Sequence, residues 1–265
     1  MDNTPDLWHR RLNHCFEQVL RQLRLIPPKA HLSTCEVCQR CKPTFNKLQT
    51  IELYKYRPQQ PLQLWLFDLL MPSKECKGAH IIAIDAYSRY AHCQYIRDTG
   101  ADSTLHDLQS LLAYAKTPPK ILQFDRQSSF TATITQNWLK EHNFGLKFVT
   151  PARHGELNSL VERQIQSLRL MARTSMLDAR LSTSFWPHAT NYATYVKNRL
   201  PHTSLNGKAP IEVHLNQSPR LQTIKRFGSV CYQLKPLTQC KDKFLPITTP
   251  KVFSVTIKKA SMKRR

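Results

Sequence analysis

The chain has 265 residues, 41% of them apolar, enough for one large domain or two modest ones with a real core, which argues against global disorder. Its 39 Lys and Arg against 18 Asp and Glu leave a formal charge of +21, a field that attracts polyanions and makes nucleic acid the natural partner. A membrane surface is the weaker alternative, and no apolar run approaches the ~20 residues of a spanning helix, so a membrane partner is not the expectation. The start, "MDNTPDLWHRRLNH", has no apolar signal core, so an intracellular protein with reduced or metal-bound cysteines is expected.

Residues 1–47 read as a small module. Leu7, Leu12, Phe16, Leu20 and Leu23 recur at near-helical spacing, and "IPPKAHLSTCEVCQRCKP" breaks the pattern. His9 and His14, with the later pair Cys35 and Cys38, make a two-plus-two set of imidazole and thiolate donors suited to a structural, tetrahedral Zn²⁺. A regular helix would turn two histidines five positions apart away from each other, so a bend or helix end is expected between them. Cys41 is the first substitute for a wrongly assigned ligand, followed by Cys15 and His31. A module this small has too little core to stand alone, and a metal would contribute folding energy. Residues 48–61 read as a linker.

An α/β rhythm follows. "LQLWLFDLL" (62–70) predicts a buried strand. "AHIIAIDAYSRYAHCQYI" (79–96) predicts a hairpin turning near "DAYS". Residues 101–116 predict a helix, 120–125 a buried strand, 133–144 a helix, 146–151 a short strand, 156–179 a long helix and 183–200 another. A hairpin followed by strand–helix units implies a mixed sheet covered by helices. From 221 onward the chain carries eleven basic residues and one acid, Asp242, and ends in "KKASMKRR", a candidate nuclear localisation signal or nonspecific DNA tail.

Three acids stand out. Asp68 lies inside an apolar strand, which is costly unless the carboxylate is paired or metal-bound. Asp125 ends the strand "ILQFD". Glu162 sits on the long helix, on a face shared with Gln166, Arg169 and Arg173, while Leu157, Val161, Ile165, Leu168 and Ala172 form the apolar stripe. Converging carboxylates repel one another and call for divalent cations; hard oxygen donors favour Mg²⁺ or Mn²⁺, and a two-ion site of this kind serves phosphodiester chemistry. The alternative roles are a strand cap for Asp68, a turn for Asp125 and an ion pair with Arg163 or Arg169 for Glu162. Arg163, Arg169 and Arg173 are candidate phosphate contacts, as are Arg153 and His154 in the loop before the helix. Asp85 and Arg89 are expected to support the hairpin, and Trp65, Trp138 and Trp186 to fill the core.

Several motifs, in order, resemble one family. "LWHRRLNH" with "CEVC" is similar to a zinc-binding pre-integrase module. "WLFD", "IDAYSRY", "QFDRQSSF" and "LNSLVERQIQSL" are similar to the blocks of an integrase catalytic core, and "FWPHATNYATYVKNRLPHTSL", "APIEV" and "IKRFGSVCYQL" to its downstream landmarks. The chain thus resembles the integrase region of a copia-type retrotransposon polyprotein over residues 7 to 255. The resemblance implies an α/β, ribonuclease H-like core over 62–200, with a five-stranded mixed sheet and flanking helices. It implies a basic extension over 201–265 holding an incomplete small β-barrel. It implies 3′-end processing and strand transfer, with Asp68, Asp125 and Glu162 catalytic around two Mg²⁺ or Mn²⁺ ions, and Zn²⁺ on His9, His14, Cys35 and Cys38. Double-stranded DNA (element ends and target), a homo-oligomer and a nuclear location, reached from cytoplasmic retrotransposon particles, complete the expectation. Leu66, "DRQSS" and Ser159 depart from the family pattern and motivate a second reading, a catalytically silent, host-adopted or remnant DNA-binding protein. A nuclease that cuts without joining is a third.

Overall fold

In the computed structural model, residues 4–41, 58–72, 78–114, 119–124, 128–148, 155–234 and 248–252 are described. The centre is a five-stranded sheet built from β1 (Leu64–Leu70), β2 (Ala79–Asp85), β3 (Ala91–Ile96), β4 (Ile121–Phe124) and β5 (Gly145–Phe148), in spatial order β3-β2-β1-β4-β5. The first three strands form an antiparallel meander, and β4 and β5 add in parallel, with Phe67 beside Phe124 and Phe124 beside Phe148. The five-stranded mixed sheet and the succession of strands along the chain are as expected, with boundaries within a few residues.

Both faces of the sheet are covered, which is why β1 and β2 read as continuous apolar runs rather than alternating ones. The odd-numbered side of β1, Trp65, Phe67 and Leu69, packs with Leu108, Leu111 and Leu112 of α4 (Ala101–Tyr114), Phe130 of α5 (Ser128–Thr131) and Leu139 of α6 (Thr133–Glu141). The even-numbered side, Leu64, Leu66 and Leu70, packs with Val161, Ile165 and Leu168 of α7 (Gly155–Asp178) and Ala193 of α8 (Trp186–Lys197). The hairpin turn after β2 is fastened by Asp85, fully buried, which accepts from the backbone N–H of Leu62 (2.7 Å) and of Ser88 (2.6 Å) and from Ser88 Oγ (2.8 Å). Arg89, in the left-handed region at φ 60°, donates from Nε to Ser204 Oγ at 3.3 Å.

The N-terminal segment folds as short helices rather than one run: α1 (Pro5–Arg11), α2 (Glu17–Gln22) and α3 (Glu36–Cys41). Asn13 and His14 break the first two apart, with φ of 56° and 57°. A third core joins this segment to the rest of the molecule. Trp8, Leu12, Leu20 and Ile26 pack with Ala172 of α7, with Ala189, Tyr192 and Val196 of α8, and with Leu221, Ile224 and Phe227 further along. After α9 (Pro210–Leu215), β6 (Val230–Leu234) and β7 (Thr248–Val252) pair antiparallel as a separate two-stranded sheet. Among the described residues no helix is long and apolar enough to cross a membrane.

Candidate functional site

Two sets of side chains carry chemistry. The first lies on the N-terminal helices. Thr4 caps α1, its Oγ1 accepting from Leu7 N–H at 3.3 Å, and Pro5 opens the helix at a position where its missing N–H costs nothing. His9 thus sits in the last turn of α1. The left-handed pair Asn13 and His14 then reverses the chain, and His14 N–H donates to the His9 carbonyl at 2.6 Å. The reversal brings together two imidazoles that a continuous helix would hold apart. Cys35 stands just before α3 and Cys38 inside it.

The donor atoms of His9, His14, Cys35 and Cys38 all lie within 4.8 Å of one another. His9 Nε2 is 3.2 Å from His14 Nδ1 and 3.3 Å from Cys38 Sγ; His14 Nδ1 is 3.4 Å from Cys35 Sγ and 3.7 Å from Cys38 Sγ. A tetrahedral Zn²⁺ with usual bond lengths separates its ligands by ~3.3 Å for N and N and ~3.5 Å for N and S. Four of the six donor pairs lie near those separations and all lie within 4.8 Å, so the set fits that ion after a modest contraction. Both histidines are buried, at 6% and 1% exposure, as a closed structural site requires. The substitutes stand elsewhere in this arrangement: Cys15 offers its backbone carbonyl to His9 Nδ1 at 2.8 Å, and His31 is 79% exposed beside Glu17. Cys41 is buried in α3, outside the four-donor group.

One contributor has no counterpart in the sequence reading. Asp178, the last residue of α7, places Oδ2 3.4 Å from His14 Nε2 and 2.5 Å from Arg226 Nε, with Arg10 Nε 3.9 Å from its Oδ1. Burial pushes the Asp178 carboxyl up, but the nearby His14 imidazole and Arg226 guanidinium outweigh it and leave it below the ordinary carboxylate range. A signal was available: an acid at a helix C-terminus opposes the helix dipole and implies a compensating cation.

The second set is the acidic face. Asp68 is the one residue of β1 that is not buried. Strand alternation puts it on the side of Leu64, Leu66 and Leu70, toward α7. Its Oδ1 accepts from the backbone N–H of Leu69 at 2.7 Å. Its carboxylate is a hard oxygen donor reachable from solvent, which fits Mg²⁺ or Mn²⁺. On α7 the expected stripe is formed: Val161, Ile165, Leu168 and Ala172 are buried, and Glu162, Arg163, Gln166, Arg169 and Arg173 are exposed. Arg169 donates to the Met71 carbonyl at 3.4 Å, which ties α7 to the end of β1. Glu162 is two turns earlier on the same exposed side. Asp125, Arg153 and His154 lie outside the described residues, as does the side chain of Leu157. Asp85 stays apart from this face. It pairs with Trp65, whereas Asp68 pairs with Ile82, a separation of ~10 Å along the strand.

The integrase core domain family matches residues 58–154, a span that holds Asp68 and Asp125 and ends before Glu162. The retrovirus-related Pol polyprotein from transposon RE2 of Arabidopsis thaliana is 22% identical over 245 residues, 90% of this chain; the chain spans 17% of that polyprotein's length. Among solved structures, the HTLV-2 integrase catalytic core domain in complex with magnesium superposes with a TM-score of 0.50 at 17% identity, over 60% of this chain and 99% of that one. A chain of the simian T-cell lymphotropic virus intasome in complex with PP2A regulatory subunit B56 gamma superposes with a TM-score of 0.54 at 17% identity, over 86% of this chain and 82% of that one. The fold is that of the ribonuclease H-like integrase catalytic cores.

Proposed function

We propose that this chain is a copia-type retrotransposon integrase that trims the 3′ ends of element DNA and joins them to a target duplex. The observation that carries the reading is the setting of Asp68: a partly exposed carboxylate in an otherwise buried first strand, directed toward α7. Phe67 pairs with Phe124, and Asp125 follows Phe124 in the sequence. Asp68, Asp125 and Glu162 are the proposed ligands of two Mg²⁺ or Mn²⁺ ions, which when bound activate the attacking hydroxyl and stabilise the leaving oxygen. Joining is a transesterification: a 3′-hydroxyl oxygen forms a new bond to phosphorus while one target P–O bond breaks, so no external energy source is needed. The chain's own part is to hold the backbone in line. Arg163, Arg169 and Arg173 on the exposed side of α7 are proposed phosphate contacts, with Arg153 and His154 preceding the helix. His9, His14, Cys35 and Cys38 would hold a structural Zn²⁺. Two DNA ends require at least two protomers, so a homo-oligomer working in the nucleus is part of the proposal.

The test is a strand-transfer assay with manganese and short blunt duplexes. Joined product is expected from the wild-type chain and none from Asp125→Asn, with DNA binding retained in the variant. Folded, metal-supplied wild-type protein that binds DNA without cutting or joining it would sink the proposal in favour of a binding protein. Cleavage with no joined product would reduce the activity to that of a nuclease.

A further inference from the structure

We infer that Asp178 is a positioning residue for the His/Cys metal centre, and that it makes metal loading and seating of the N-terminal helices on the core a single coupled event. The inference rests on the zinc reading above and is independent of the joining activity.

Each imidazole uses a different ring nitrogen. His9 turns Nε2 toward the other donors and gives Nδ1 to the Cys15 carbonyl at 2.8 Å. His14 does the reverse: Nδ1 faces Cys35 and Cys38, and Nε2 lies 3.4 Å from Asp178 Oδ2. A neutral imidazole carries one N–H. A carboxylate at Nε2 keeps the proton there and leaves the Nδ1 lone pair for the metal, raising the ligand's basicity. Cys15 lies next to His14 in sequence, so the His9 contact is local. Asp178 comes from the far end of α7, on the catalytic core. The metal centre is therefore completed by a residue outside its own module.

Asp178 is in turn held from three sides. Arg226 Nε reaches Oδ2 at 2.5 Å and its Nη2 reaches the Asp178 carbonyl at 2.7 Å, while Arg10 Nε of α1 lies 3.9 Å from Oδ1. The side chain is only 6% exposed. Beside it runs the core shared by Trp8, Leu12, Ala172, Tyr192 and Phe227. Tyr192 Oη fastens the same seam by donating toward the Arg11 carbonyl at 2.6 Å and lying 3.1 Å from that of Lys225. A metal that orders His14 thus orders its partner on α7. By linkage, whatever affinity the metal gains from a seated module, seating gains from the metal.

The experiment uses the full chain. Zinc affinity is measured by chelator competition for wild type, Asp178→Ala and Asp178→Asn; histidine ¹⁵N spectra report which nitrogen is metallated; hydrogen exchange is compared with and without zinc. Asp178→Ala should weaken zinc binding about 10- to 100-fold. Asp178→Asn should recover much of that loss, because its amide oxygen can face Nε2–H as the carboxylate does. In wild type, His14 should be metallated at Nδ1. Zinc removal should raise exchange at the C-terminal end of α7 and in residues 221–227 as well as in 4–41. Wild-type zinc affinity in Asp178→Ala, metallation of His14 at Nε2, or loosening confined to 4–41 would overturn the inference. A wild-type chain that takes up no zinc would overturn the zinc reading itself, and this inference with it, whatever its strand-transfer activity.

Discussion

The His/Cys centre and the acidic face are built on opposite plans. Four donors of the first come from two short stretches near the N-terminus, and their atoms already lie within 4.8 Å of one another, with both imidazoles buried. The second draws single acids from separate elements. Asp68 is only partly buried and Glu162 is exposed on α7 beside arginines. A structural metal site closes all its positions with protein, whereas a site that works on a polymer leaves positions open. The first can therefore be assembled from contacts inside the chain, and the second, on the proposed function, would be completed by ions and DNA.

That contrast predicts opposite signs for two substitutions, and the larger effect is on rate. Asp68→Asn should lower strand transfer at least about 10³-fold, equivalent to about 4 kcal/mol of transition-state stabilisation. Without added divalent ions, the same change should leave the melting temperature unchanged or raise it, because the proposed triad would lose one of its repelling carboxylates. Cys38→Ser should do the reverse to stability. Loss of a metal present at 1,000 times its Kd removes about 4 kcal/mol, or about 10 °C of melting temperature in a chain of this size. Calorimetry with and without chelator separates the two cases. A fall in melting temperature in Asp68→Asn comparable to that in Cys38→Ser would erase the distinction between an open site and a closed one.

Much of the scaffold was legible because its signals are local. Apolar runs in β1 and β2 announce strands buried on both faces, and the stripe from Val161 to Ala172 announces the buried side of α7. The need for a break between His9 and His14 follows from helical periodicity alone. Its form, two consecutive left-handed residues at Asn13 and His14, does not. The shared core that seats Trp8 and Leu12 against Tyr192 and Phe227 left no trace in the pattern of residues 4–41, because periodicity marks which residues are buried and not what buries them. Asp178 was hidden for the same reason: its partners are His14, Arg10 and Arg226, remote in sequence, and Arg226 reads simply as one more cation of a basic tail.

The sheet itself offers a test away from both sites. His80 on β2 is fully buried, edge-on to Trp186 at 4.9 Å. Burial pushes its pKa down to about 3, partly opposed by Asn191. The unfolded chain takes up this proton near pH 6.5 and the folded chain does not, so the unfolded state binds more protons throughout the window between those values. Stability from this residue is complete above pH 6.5 and falls as pH drops toward 3, by about 2 kcal/mol at pH 5. His80→Phe should flatten that part of the stability profile. An unchanged acid slope in denaturant melts would show that the loss arises elsewhere.

The smallest effects belong to the arginines of α7, and they sharpen the picture of an open face. Arg163 and Arg173 are exposed, while Arg169 is already engaged at the Met71 carbonyl. A phosphate contact releases a condensed counterion, so its loss weakens binding to every sequence alike and lowers the salt dependence of log K by about 1. Arg173→Ala should thus cost roughly 3- to 5-fold in duplex affinity at moderate salt and reduce the slope by about one unit. Arg169→Ala carries the additional loss of the tie between α7 and β1, and should lower thermal stability as well as affinity. Fluorescence anisotropy across a salt series reads both quantities. If Arg173→Ala leaves the slope untouched, this side of α7 is a solvated surface, and the backbone of the DNA must run over other cations.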